Sequence, residues 1–133
     1  MKSTKLLEKS LHQELGSVYL NMLPLKHRLD AKYFKKIYTE GRKYRGEYGM
    51  LVAKDSTLEY AQFAFVISKK IGNAVQRHRM TRLLRQITLE TLSTYSLSEK
   101  PFQCQYIGFK YCDSYEKLKE EYSEQIKQAL GVS

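Results

Sequence analysis

The chain has 133 residues, with 23 Lys and Arg against 14 Asp and Glu, for a formal net charge of +9. That length suits one domain with its own core, and no apolar run approaches the roughly 20 residues needed to span a membrane. A sequence pI near 9.5 favours a polyanionic partner, nucleic acid first and an acidic membrane surface second.

Residues 1–23 offer an amphipathic pattern through Leu7, Leu11, Leu15 and Val18, weakened by Gly16 and Ser17. They hold no signal-peptide core, because Glu8, His12, Gln13 and Glu14 interrupt the apolar residues. Three readings stand open for this segment: a genuine extension, a docking helix, or an upstream stretch read through from a start at Met22. The folded domain is expected over residues 24–133. Its first helix is predicted over 31–40, with Asp30 as N-cap and Phe34, Ile37 and Tyr38 on one face. Gly41 suits the left-handed position that ends a helix. Residues 42–45 read as a basic link. Residues 48–54 are a strand candidate, with Gly49 weakening it or marking a bulge.

Residues 60–68 are the strongest strand. Phe63, Phe65 and Ile67 alternate with Gln62, Ala64, Val66 and Ser68, giving one large apolar face and one smaller face. The basic stretch over 68–89 follows, and no acidic residue stands between Glu59 and Glu90. Asn73 is placed to cap a helix. Met80, Leu83, Leu84 and Ile87 then fall on one helical stripe. His78, Arg82 and Arg85 lie opposite, flanked by Arg77 and Thr81. Arg77, Arg79, Arg82 and Arg85 occur within nine residues and repel one another. An anionic partner explains such a face better than solvation alone, and Arg forks suit phosphate. A connection over 92–100 leads to a strand over 102–110, completing a β-α-β unit whose default crossover is right-handed. Asp113, with Glu116 three residues on, reads as the start of a last helix. Leu118, Tyr122, Ile126, Ala129 and Leu130 are its buried stripe and Gly131 its end. The fold class is α+β, with helices packed on a mixed sheet.

The segment KKIGNAVQRHRMTRLLRQ resembles the signature of the bacterial ribonuclease P protein subunit, which reads roughly K-K-x-G-x-A-V-x-R-N-R-x-K-R-x-x-R. Lys69, Lys70, Gly72, Ala74, Val75, Arg77, Arg79, Arg82 and Arg85 match. His78 stands in place of Asn and Thr81 in place of Lys. Phe34, Tyr38 and Gly41 fit the family's first helix, so the resemblance runs over roughly 23–130. It implies an α-β-β-β-α-β-α sandwich similar to the second domain of ribosomal protein S5, with a left-handed β-α-β crossover. It implies binding of the catalytic RNA subunit through Lys69, Lys70, Arg77, His78, Arg79, Arg82 and Arg85, with His78 donating an N–H where the family has an amide. It also implies a cleft for the 5′ leader of precursor tRNA, lined here by Phe34, Tyr38, Ala64, Val66 and Ser68. The plain alternative makes Phe34 and Tyr38 core.

The residues themselves show no Ser-His-Asp arrangement, no phosphate-gripping G-x-x-x-x-G-K, and no H-E-x-x-H or C-x-x-C. His12, His27 and His78 are dispersed, and Asp55 and Glu59 sit in a turn. Cys104 and Cys112, expected in or near one strand, are read as reduced, which points to the cytoplasm. No catalytic residue and no metal site is expected on the polypeptide. The resemblance implies that the RNA subunit performs the endonucleolytic cut with magnesium held mainly by RNA, the protein binding no cofactor alone. Two rivals remain: a non-catalytic RNA-binding protein of ribosomal or translation type, and a membrane- or DNA-surface binder acting by charge.

Overall fold

The structure is a computed structural model that describes Leu23 and residues 25–57, 60–94 and 101–131. Within it, β1 (Arg42–Arg45), β2 (Gly49–Asp55), β3 (Gln62–Val66) and β4 (Phe102–Gly108) form one sheet in the order β1-β2-β4-β3. β1 and β4 each run antiparallel to β2, while β3 and β4 are parallel. Three α-helices are described: α1 (Phe34–Glu40), α2 (Ala74–Thr94) and α3 (Tyr115–Leu130). α2 supplies the crossover from β3 to its parallel neighbour. The sequence-predicted extension, apart from Leu23, and most of the connection over 92–100 lie outside the described residues.

Side-chain alternation divides the core into two layers. Phe63, Phe65, Leu51, Ala53, Cys104 and Tyr106 point to one face, where Met80, Leu84 and Ile87 of α2 and Leu118, Tyr122 and Ile126 of α3 cover them. Leu23 packs in the same cluster. Ala64, Val66, Met50, Val52 and Ile107 point the other way, against Leu29, Phe34 and Ile37. Both faces are therefore dry, and β2 and β4 read as near-continuous buried runs. Tyr106 and Tyr122 meet edge to face at 5.1 Å. The buried Tyr122 hydroxyl shares a hydrogen bond of 2.8 Å with the Thr88 hydroxyl.

Several local expectations are corrected. Arg42–Arg45 is not a link but an edge strand, polar along its length and defined by its pairing with β2. Asp30 does cap, accepting from the Lys32 N–H, but the first turn is a 3-10 turn, Ala31–Tyr33, before α1 begins. Gly41 is extended, with φ −76° and ψ 161°, rather than left-handed. It is required for space: a Cβ there would lie 2.5 Å from the Ile37 carbonyl oxygen and 2.8 Å from Val52 Cγ1. Ser114, not Asp113, caps α3, accepting from the Lys117 N–H. Gly131 ends that helix with φ 73°, as expected. The exposed Asp55 closes β2, 3.5 Å from Arg42, and Glu59 lies outside the described residues. Both cysteines are free and buried.

Two side chains of α3 hold the β1–β2 hairpin. The Glu121 carboxylate accepts the backbone N–H groups of Glu47 and Tyr48 at the turn. The Gln125 amide donates to the carbonyls of Tyr44 and Gly49, at 2.8 and 2.9 Å. Gln125 is buried, and its removal takes a side-chain donor from both carbonyls, of which that of Gly49 also accepts from the Gly46 N–H at 2.9 Å. Gln125→Ala is expected to lower stability by about 1–3 kcal/mol. Urea unfolding would show this as a lower midpoint at unchanged slope; an unmoved midpoint would mean that water satisfies both carbonyls.

Candidate nucleic-acid interface

α2 begins with a reciprocal cap. The Gln76 N–H donates to Asn73 Oδ1 at 2.9 Å, and the Asn73 N–H donates to Gln76 Oε1 at 3.0 Å. Two of the helix's otherwise unpaired N–H groups are thereby satisfied, and Asn73 holds its expected place. Met80, Leu84 and Ile87 are buried and Leu83 half-buried. Thr81, Thr88 and Thr91 are buried beside them, and each hydroxyl donates to the carbonyl four residues back, at 2.7, 2.8 and 2.7 Å. The core face is thus wider than its apolar residues alone imply. Thr81 belongs to it and does not flank the cationic side.

The cationic side is a ridge. His78, Arg79 and Arg82 are exposed, and Arg77 and Arg85 are half-buried along its flanks. Lys69 and Lys70 are exposed in the turn before the helix. The seven residues therefore run together from that turn along α2. Arg79 lies 3.8 Å from Asp113, with both side chains more than half exposed, and such a contact competes weakly with a phosphate. Glu90, the acid within the helix, is engaged elsewhere. It accepts from the Tyr115 hydroxyl and pairs with Lys119 at 3.2 Å, contacts that hold its carboxyl below the usual range.

The second group of candidate residues meets on the opposite face of the sheet. Phe34, Ala64 and Val66 pack in one cluster, Tyr38 sits at its border, and Ser68 is half-buried just beyond β3. Phe34 is only 2% exposed, so its ring is core and offers no face to a base. Ala64 and Val66 are likewise covered, and the smaller side of β3 is not the open room their size suggests. Tyr38 retains exposed surface, with Lys43 Nζ 5.0 Å from its ring centroid. Sequence reasoning missed this cation, because Arg42–Arg45 has no strand pattern of its own and only pairing with β2 turns Lys43 toward Tyr38. Beside the cluster lies a groove of about 260 Å³ lined by Tyr33, Lys36, Lys54 and Gln103 among others.

The ionisable groups show no catalytic arrangement among the described residues. His27 is buried, 2.7 Å from the Ala61 carbonyl oxygen, and packs edge to face on Tyr60. Burial pushes the Cys104 thiol well above its usual range, away from nucleophilic use. No three His, Cys, Asp or Glu side chains among the described residues come together to hold a metal ion. Among those residues no helix is long and apolar enough to cross a membrane. A cation added at position 81 would enter the core rather than the ridge. Thr81→Lys is expected to destabilise the fold by roughly 2–4 kcal/mol and to leave RNA affinity of the folded fraction no higher. Unaltered urea stability would place that side chain at the surface instead.

Comparison with known proteins bears on the family and the fold. The ribonuclease P family model matches residues 23–107. The ribonuclease P protein component of Fusobacterium nucleatum is 43% identical over 53 residues, covering 40% of this chain and 48% of that protein. The component from a Pseudanabaena species is 40% identical over 75 residues, covering 54% and 65%. The chain thus spans about half to two-thirds of these curated relatives. A mutant of the Staphylococcus aureus RNase P protein superposes with a TM-score of 0.64 at 17% identity, covering 94% of this chain and 97% of that one. The Thermotoga maritima RNase P protein, solved with 1-(4-fluorophenyl)-2-thiourea, gives 0.55 at 24% identity, covering 77% and 92%. At these identities the structural likeness speaks to the fold alone, while the family match covers more than half of the sequence, the cationic ridge included: this chain belongs to the ribonuclease P protein family.

Proposed function

We propose that the chain is the protein subunit of ribonuclease P, binding the catalytic RNA subunit and the 5′ leader of precursor tRNA and assisting endonucleolytic removal of that leader. The observation that carries this reading is the ridge of Lys69, Lys70, Arg77, His78, Arg79, Arg82 and Arg85, set on α2 and the turn before it in a chain of this family. Its work is electrostatic and positional. Each cation that neutralises a phosphate releases condensed counterions, which offsets repulsion between two large RNAs. His78 is exposed and available to donate an N–H. Magnesium held by RNA would supply the hydrolytic chemistry, and the protein's own residues would place the substrate.

For the leader, the supported platform is Tyr38 under Lys43, with the adjoining groove; Phe34 positions α1 from beneath. Single-stranded RNA is gripped by such ring and cation pairs with little sequence preference.

The deciding experiment is cleavage of a precursor tRNA by a ribonuclease P RNA at low magnesium, with and without this chain. Stimulated release of the leader and of mature tRNA with a 5′-phosphate is expected. RNA binding without stimulation would favour a ribosomal or translation-type RNA-binding protein instead. The double variant Arg79→Ala, Arg82→Ala should keep its fold and flatten the dependence of log K on log salt for the RNA subunit by about two units. An unchanged slope would remove these side chains from the interface. Tyr38→Ala should weaken binding of leader-bearing precursor to the holoenzyme by about tenfold, with mature tRNA unaffected. Equal loss for both substrates would move the leader elsewhere.

A further inference from the structure

Phe109 directly follows β4 and is 40% exposed, although β4 itself is the most buried strand of the sheet. The Arg45 guanidinium carbon lies 5.0 Å from its ring centroid. Arg45 forms no ion pair among the described residues, and its Nη1 also lies 4.0 Å from Met50 Sδ. The Phe109 backbone is fixed by donation to the Tyr48 carbonyl at 2.8 Å. A ring on a fixed backbone, a guanidinium over it with no ion pair among the described residues, and exposure to solvent are the parts of a base-stacking platform.

The strand register places this pair. Lys43 is opposite Val52 and Arg45 opposite Met50, and Val52, Met50 and Ile107 all belong to the layer under α1. Lys43 and Arg45 thus point to the same face of β1, two residues or about 7 Å apart. One lies over Tyr38 and the other over Phe109. That spacing is comparable to the phosphate step of an unstacked nucleic-acid strand. On the far side of Arg45 is a groove of about 470 Å³ whose lining includes Glu47, Glu120, Glu121 and Glu124. Those carboxylates repel phosphate, so a polynucleotide is steered to the Lys43 side. The segment from Ile67 to Ile71 passes beside Gly108, so the Lys69–Lys70 turn stands at the same end of the sheet.

We propose that Arg45 and Phe109 form a stacking site for one unpaired nucleotide of RNA, the base continuing the ring–guanidinium stack while the guanidinium edge donates to a phosphate. This rests on the RNA-binding reading above and adds a second step to the Tyr38 platform. Two RNAs can supply such a nucleotide, the precursor leader and an unpaired segment of the RNA subunit.

The full-length chain would be titrated with a blunt RNA hairpin and with the same hairpin bearing a single-stranded 5′ extension of several nucleotides. Each extension nucleotide would be replaced in turn by an abasic one. In the wild type, two positions should each cost about tenfold in affinity when abasic, one of them at the Arg45–Phe109 site. That penalty should vanish in Phe109→Ala and Phe109→Leu and persist in Phe109→Tyr, while Tyr38→Ala should erase the penalty at a different position. Circular dichroism melts serve as the folding control, and the exposed ring should leave them unchanged. With reconstituted holoenzyme, weaker binding of leader-bearing precursor by Phe109→Ala assigns the site to the leader; weaker RNA-subunit binding assigns it to that subunit. Salt-sensitive binding of the blunt hairpin with every abasic penalty undiminished in Phe109→Ala overturns the stacking site alone. Failure of the wild type to bind even the blunt hairpin overturns the reading beneath it.

Discussion

The structure depends on β4 being paired on both edges and sealed on both faces. It is the last strand in sequence yet lies between β2 and β3, so the sheet is incomplete until α2 has been laid across it. Phe102, Cys104 and Tyr106 are gripped from the α2–α3 side, and Ile107 from the α1 side. Gln105 lies between Val52 and Ala64 in the register, fully buried, and its amide finds no partner among the described residues. Most of the strand's side chains gain from burial, and that amide is carried along with them. The long-range pairing fixes where α2 starts, and so where its cations stand relative to α1 and the hairpin.

Charge is segregated around this frame. One side of α2 and the turn before it are cationic, while the acids collect on α3 and at the hairpin turn. Two acids have structural work, Glu121 of α3 on hairpin N–H groups and Glu90 of α2 on Tyr115 and Lys119. The net charge of +9 is therefore unevenly spread, with cations densest along α2 and the turn before it, while the acids of α3 are nearly balanced by Lys117, Lys119 and Lys127. Such a surface orients the protein on approach, since complementary fields steer encounter as well as holding the complex.

Much of this was legible in the sequence where the physics is local. The alternation of Phe63, Phe65 and Ile67 with Ala64 and Val66 gave both layers of β3, because period two needs no partner to be read. Asn73 and the Met80–Ile87 stripe located α2. What escaped was set by distant contacts or by residues with two characters. β1 has no apolar period and becomes a strand only opposite β2. Gly41 is needed for clearance from the Ile37 carbonyl and from Val52 of β2, and the second of these no local rule reports. Thr81 can face water or core, since its hydroxyl is satisfied by its own helix and its methyl is not. Phe34 and Tyr38 share a helix face, but only packing decides that one is interior and the other open.

The basic edge strand carries a further consequence. An unpaired strand edge invites another chain to extend the sheet, and Lys or Arg side chains along it are a common deterrent. β1 is such an edge, guarded by Arg42, Lys43 and Arg45, whereas the opposite edge is partly blocked by the bridge from Arg28 to Phe63. The cations proposed above to meet RNA, Lys43 and Arg45, thus also discourage pairing of copies along this edge. A polyanion that neutralised them would have to replace that protection with its own bulk, which would link self-association of the free chain to occupancy by its ligand through a single strand.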